Sequence, residues 1–200
     1  SKYGLRTVDQ FFAPGTPGVG RIGNRPPGTA ENSATYVHAT LFGVWSLFMM
    51  GEDKAAWDQL IKALPVTHAH LSATQFVMSN SYSLNPEFSM DGESMSDWYT
   101  GAANVLIKTL VRCVFGVDAT LEGVYIRPAA YMPFASAKIR IAVRGCSVRV
   151  EYVKKGNGKR VFRVGGKFRE APPDPVSGAP ALLLSEADLK GETLVISVED

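Results

Sequence analysis

Between Ser33 and Met50 apolar residues fall on every side of a 3.6-residue period: Tyr36, Val37, Leu41, Phe42, Val44, Trp45, Leu47 and Phe48. A helix without a polar face is one buried between neighbours, and this chain has few helices to bury it with. Gly51 ends the helix and Asp53 is placed to cap a second one, in which Ala55, Trp57, Leu60, Ile61 and Leu64 form a single apolar stripe up to Pro65. The pair reads as a helical hairpin. A third helix is predicted from about Asp97 or Thr100 to Phe115, apolar at Val105, Leu106, Leu110, Val111 and Val114, exposed at Lys108 and Arg112, and stopped by Gly116.

After Gly116 the period falls to two. Ile139, Ile141 and Val143 alternate with Lys138, Arg140 and Arg144, while Val148, Val150 and Tyr152 alternate with Arg149 and Glu151. These segments read as half-buried antiparallel strands. Lys155-Gly156-Asn157-Gly158 is a hairpin turn signal, with Val161-Phe162-Arg163-Val164 as the return strand, and Leu182 to Leu184 and Leu194 to Val198 add two more. The expectation is an α+β chain whose second part is a small antiparallel β-sandwich. Residues 1–30, with Pro14-Gly15-Thr16-Pro17-Gly18 and Pro26-Pro27-Gly28, have no sustained period and read as a long ordered loop. Such loops are usually functional or cover something. Residues 66–95, rich in Ser, Asn and Met, are irregular as well.

Composition narrows the function more than the fold. The 200 residues carry 21 basic and 19 acidic side chains, a net charge of +2, too weak a field to argue for nucleic acid or an anionic membrane. No apolar signal region opens the sequence, and the longest apolar stretch, around Leu41 to Met50, is far short of the roughly 20 residues a membrane span needs. Cys113 and Cys146 lie in apolar stretches and are expected as buried free thiols in a reducing, cytoplasmic setting.

The histidines are His38, His68 and His70, and no spacing of His, Cys, Asp and Glu resembles a zinc site or a Cys-His nucleophile pair. No Walker loop is present. The dense glycine run before Pro26 lacks the strand and helix that a dinucleotide fingerprint requires. Three features remain: Glu31-Asn32 before the apolar helix, His38 inside it, and Asp97-Trp98-Tyr99-Thr100-Gly101 at the start of the third helix. His38 must find a hydrogen-bond partner or face a wet cavity. Glu31-Asn32 suits an N-cap. Thr100-Gly101 suits either an ordinary helix start or an anion site.

Taken in order, Gly28-Thr29-Ala30-Glu31-Asn32, Tyr36-Val37-His38-Ala39, Leu64-Pro65, Trp98-Tyr99-Thr100-Gly101-Ala102-Ala103 and Leu121-Glu122-Gly123-Val124-Tyr125-Ile126-Arg127-Pro128 resemble the C-terminal third of glycoside hydrolase family 94 phosphorylases. That family includes cellobiose, cellodextrin, chitobiose and β-1,2-oligoglucan phosphorylases. The likeness runs over about residues 15–135. It implies an N-terminal β-sandwich, an (α/α)6 barrel and a C-terminal β-sandwich. Residues 1–118 would then be the end of the barrel and 119–200 the jelly-roll-like terminal sandwich.

The implied activity is inverting phosphorolysis of a β-glucosidic bond. Its partners are a β-linked gluco-oligosaccharide and inorganic phosphate as co-substrate, without a cofactor, and a homodimer is among the assemblies it allows. By the resemblance His38, Thr100 and Gly101 hold phosphate and Glu31 faces sugar hydroxyls, whereas the general acid and a phosphate-binding arginine lie upstream. Two departures concern the sugar side: Asn32-Ser33 stands where the family has Asn-Gly, and Phe76-Val77-Met78-Ser79-Asn80-Ser81-Tyr82 where it has a Glu-Pro-Tyr-like segment. Two other readings stay open, a hydrolase or transglycosylase on the same barrel, as in a cyclic glucan synthase, and a non-catalytic carbohydrate-binding module.

Overall fold

The computed structural model describes residues 1–68, 74–156 and 159–200, with the backbone alone at Phe88. The chain divides into two compact units, Ser1–Leu47 with Lys54–Ile107 and Phe48–Asp53 with Lys108–Asp200. It is a mixture of few helices and several sheets. Among the described residues no helix is long and apolar enough to cross a membrane.

The first unit contains helix α1 (Val37–Met49) up to Leu47, most of α2 (Asp53–Ala63) and most of α3 (Ala102–Thr109). Three two-residue strands, β1 (Thr35–Tyr36), β2 (Ser81–Tyr82) and β3 (Ser94–Met95), make a small antiparallel sheet in that order. Its core includes Val37, Leu41 and Val44 of α1, Ala56, Trp57 and Leu60 of α2, and Tyr82. Phe42, on another side of α1, is half exposed, as an all-round apolar helix in a unit with few others requires.

The N-terminal stretch is loop for most of its length, but Gly20–Asn24 forms a short 3-10 helix where no element was expected. Thr40 donates from Oγ1 to the Leu5 carbonyl at 3.0 Å, and Leu5 lies over Gly43, where a Cβ would meet its Cδ1 at 2.4 Å. Asn32 is wholly buried: Oδ1 accepts from the Phe12 amide at 2.8 Å, and Nδ2 donates to the carbonyls of Phe12 and Arg25 at 3.0 and 2.9 Å. This corrects the N-cap reading of Glu31-Asn32. α1 begins at Val37 rather than Ser33, because Thr35 and Tyr36 pair with Tyr82 and Ser81 before the helix starts. The Asn32 side chain is spent on crossing loop backbones instead.

In the second unit α3 continues as a π-helical segment, Leu110–Val114, and leads into β4 (Val117–Ala119) and β5 (Val124–Ile126). With β10 (Leu182–Leu184) these form a three-stranded sheet in the order β10-β5-β4. A second sheet comprises β6 (Ser136–Val143), β7 (Cys146–Val153), β8 (Val161–Val164), β9 (Lys167–Arg169) and β11 (Thr193–Glu199), in the order β6-β7-β11-β8-β9. Alternate residues on β7 (Cys146, Val148, Val150, Tyr152) and β11 (Ile196, Val198) are buried, as their period of two demands.

Two sequence expectations fail here. β11 runs parallel to β7, so the sheet is mixed rather than purely antiparallel. It also separates β7 from β8, which therefore cannot be a hairpin pair closed at Lys155-Gly156, and Asn157 and Gly158 of that turn signal lie outside the described residues. The tight hairpins are β6-β7 and β8-β9. Their two-residue turns, Arg144-Gly145 and Gly165-Gly166, have positive φ at both positions (49° and 81°, 54° and 82°), the combination that matches strand twist.

Cys113 and Cys146 are buried and unpaired with each other, and burial pushes the Cys113 thiol up to about 12, which makes it inert as a nucleophile. A concavity of about 320 Å³ is lined in part by Arg127 and Arg160. These arginines are committed to carboxylates, Arg127 to Asp174 and Asp118, and Arg160 to Asp200. The arrangement is a structural ion-pair network.

Candidate functional site

The three-stranded sheet of the first unit explains how distant residues meet. β1 and β3 both run antiparallel to β2, so their C-terminal ends lie at the same end of the sheet, where the chain enters β2. Asn80 occupies that entry. Its carbonyl accepts from the Val37 amide at 2.9 Å, extending the β1–β2 ladder by one step, and its amide donates to the Met95 carbonyl at 3.1 Å. His38 lies two residues beyond β1, and the segment Ser96 to Gly101 follows β3.

Those two segments touch. A Cβ built on Gly101 would stand 2.9 Å from Cε1 of His38, 3.2 Å from Nε2 and 3.4 Å from Nδ1, so the imidazole lies directly against the Gly101 backbone. The ring is half-buried, and on its own helix it packs against Phe42 with centroids 5.0 Å apart. Neither ring nitrogen has a hydrogen-bond partner among the described residues. The satisfied core histidine is His68, buried between the rings of Tyr3 and Tyr82 with Nε2 hydrogen-bonded to the Lys62 carbonyl. His70 lies outside the described residues.

Gly101 occupies the N-cap position of α3, its carbonyl accepting from the Val105 amide at 3.3 Å, and Thr100 just before it accepts at Oγ1 from the Ala102 amide at 3.1 Å, a threonine turn leading into the helix. The hydroxyl proton is left to point elsewhere, and the other amides of the first turn have no intrahelical acceptor. Before the cap the chain is contorted: Ser96 and Trp98 take φ of 52° and 76°, and Trp98 and Tyr99 stand 77% and 82% exposed. Asn80 reaches this turn as well, its Nδ2 donating to the Tyr99 carbonyl at 2.8 Å.

Glu31 lies on the N-terminal loop of the first unit. Its carboxylate pairs with Arg21 at 2.9 Å and Arg25 at 3.8 Å, all three on the N-terminal loop, and it shares no hydrogen bond or ion pair with His38, Thr100 or Gly101 among the described residues. The structure thus sets His38 against Gly101, with Thr100 the residue before it, and bonds Glu31 to arginines of the N-terminal loop instead. Sequence reasoning missed Asn80, whose one visible signal was its place in the departure Ser79-Asn80-Ser81-Tyr82.

No protein-family model matches the chain. It is 25% identical over 155 residues, 74% of its length, to a 3-O-beta-D-glucopyranosyl-beta-D-glucuronide phosphorylase of Paenibacillus borealis. It is 26% identical over 178 residues, 85% of its length, to a cellobionic acid phosphorylase of Neurospora crassa. The likeness is to glycoside phosphorylases. At this identity it supports that relationship without selecting a subtype, and the chain spans only about a fifth of the length of either relative, 20% and 22%.

Proposed function

We propose that this chain supplies the phosphate side of the active site of an inverting glycoside phosphorylase. The carrying observation is the His38 imidazole packed against the start of α3, which gathers a ring N–H, a threonine hydroxyl and unpartnered helix amides at one place. The likeness to two phosphorylases supports the same reading.

An inverting hydrolase needs a carboxylate base to activate water, but phosphate is already an anionic nucleophile and needs donors that hold and aim it. Neutral or cationic groups serve that task and a carboxylate would oppose it. In a single displacement a phosphate oxygen bonds to the anomeric carbon as the glycosidic C–O bond breaks. The leaving oxygen takes a proton from an acid, and the product is a sugar 1-phosphate of inverted configuration. In this reading the acid and a phosphate-binding arginine come from upstream residues, so these 200 residues alone are inactive. Glu31, with its two arginines, belongs to the sugar side.

The test is cleavage of β-linked glucose disaccharides by the full-length protein with and without inorganic phosphate. The panel holds neutral, uronic and aldonic reducing ends, since the two relatives are named for sugar acids. Phosphate-dependent release of a sugar 1-phosphate is expected. Cleavage that ignores phosphate would instead make the protein a hydrolase or transglycosylase.

A further inference from the structure

We infer that Asn80 is a positioning residue of the phosphate site, setting His38 and the Thr100-Gly101 helix start in register with each other. The inference rests on the functional reading above and adds to it a residue that contributes no group to the anion.

Asn80 is bonded to both arms of the site. Its carbonyl holds the amide of Val37, the residue before His38, and its side-chain amide holds the carbonyl of Tyr99, the residue before Thr100. Each bond acts one peptide away from a site residue. Fixing the Tyr99 carbonyl fixes the plane of the Tyr99–Thr100 peptide, because the two atoms on either side of that bond cannot rotate independently. The N–H of Thr100 and the position of its Cα follow from that plane.

The need for such a tie is visible in the backbone. The turn it grips contains two left-handed non-glycine residues, Ser96 and Trp98, and has highly exposed side chains at Trp98 and Tyr99, so packing does little to hold it. β3 is only two residues long and ends at Met95, leaving four residues to Thr100 with little ladder support. A side chain able to reach across from the middle strand therefore does what the sheet does not. The requirement is a short side chain carrying a donor. Aspartate, the same shape with acceptors only, would face the Tyr99 carbonyl with like charge.

The experiment measures Michaelis constants for phosphate and for the sugar, together with thermal stability, in full-length Asn80→Ala, Asn80→Asp and Asn80→Gln, beside His38→Ala. Asn80→Ala keeps both backbone bonds and is expected to fold. It should raise the phosphate constant roughly two- to tenfold, the loss expected for one neutral hydrogen bond, with the sugar constant within about twofold. Asn80→Asp should be at least as impaired, and Asn80→Gln, which retains the donor, should recover part of the difference. A residue that merely stabilises the unit would lower the melting temperature and shift both constants alike, and that result overturns the inference, as does an unchanged phosphate constant in both Asn80→Ala and Asn80→Asp while His38→Ala raises it. If His38→Ala also leaves the phosphate constant unchanged, the phosphate-site reading fails and this inference falls with it. Should Asn80→Ala not fold, Asn80→Asp against Asn80→Gln carries the comparison at nearly constant shape.

Discussion

The imidazole of His38 and the backbone of Gly101 are in direct contact, so close that a methyl group on residue 101 would stand 2.9 Å from Cε1. The backbone at 101 does not need glycine for its dihedral angles, so the objection to a side chain there is steric alone. Gly101→Ala should fold, since both residues are partly exposed, but should push the ring aside. The Michaelis constant for phosphate is expected to rise on the order of tenfold, as for loss of one charge-assisted hydrogen bond. Added to His38→Ala, the same substitution should do little more, because the clash partner is gone. Additive losses in the double variant would show that the two residues act separately.

A second glycine is structural. At Gly116, with φ of 69°, a Cβ would fall 2.0 Å from the Arg127 carbonyl carbon and 2.1 Å from its oxygen, while the Gly116 carbonyl accepts from the Arg127 amide at 2.8 Å. Neither backbone can retreat without breaking that bond. Gly116→Ala should cost about 2–4 kcal/mol, combining the left-handed dihedral with overpacking, as read from the denaturant midpoint. A change below about 0.5 kcal/mol, typical of surface sites, would contradict it.

Asn32 and Glu31 are neighbours with opposite roles. Asn32→Ala removes three hydrogen bonds that a fully buried side chain makes to the backbone of half-exposed Phe12 and exposed Arg25, and should destabilise by about 1–3 kcal/mol, the scale of losing a few partly exposed hydrogen bonds. Glu31→Gln breaks only exposed ion pairs and should change stability by less than about 1 kcal/mol while raising the Michaelis constant for the sugar. Thermal or denaturant unfolding of the two variants side by side tests this contrast, and equal stability losses would refute it.

What could be read from the sequence tracks the length of each element. The all-round apolar pattern of α1, the stripe of α2 and the alternation of β6 and β7 repeat over several turns or pairs, and the structure has elements at those places. The direction and neighbours of β11 were not legible, because Ile196 and Val198 alternate in the same way whether the strand pairs parallel or antiparallel. The start of α1 was misread for a related reason: β1 has only two residues, too few to display a period, and its apolar Tyr36 fits a helix equally well. The resemblance set His38, Thr100 and Gly101 on one phosphate, but the residue pattern by itself did not, because their approach depends on β1, β2 and β3, each too short to announce itself. Asn80 was invisible for the same reason, since its role lies in two bonds made across strands.

The acid limb of stability should report on Asp188. Both terminal guanidinium nitrogens of Arg169 donate to it, at 2.8 and 3.4 Å, and that pairing, joined by the Ser185 amide and hydroxyl, holds its carboxyl down at about 2. A carboxylate depressed in the folded state stabilises fully above its unfolded value of about 3.9 and loses that contribution as pH falls toward 2. Asp188→Asn should therefore be less stable than the parent at pH 6, with the gap closing between about pH 4 and pH 2. A gap that stays constant over that range would assign the loss to shape rather than charge.

The central claim is that His38 and the start of α3 hold one and the same phosphate. The measurement that tests it most directly is the Michaelis constant for phosphate, set against that for the sugar, in His38→Ala, Thr100→Val and the double variant of the full-length protein. The account predicts that each single change raises the phosphate constant on the order of tenfold with little effect on the sugar constant, and that the double change is not the product of the two, because the groups share one ligand. Phosphate constants that stay at the parent value in both single variants would contradict it.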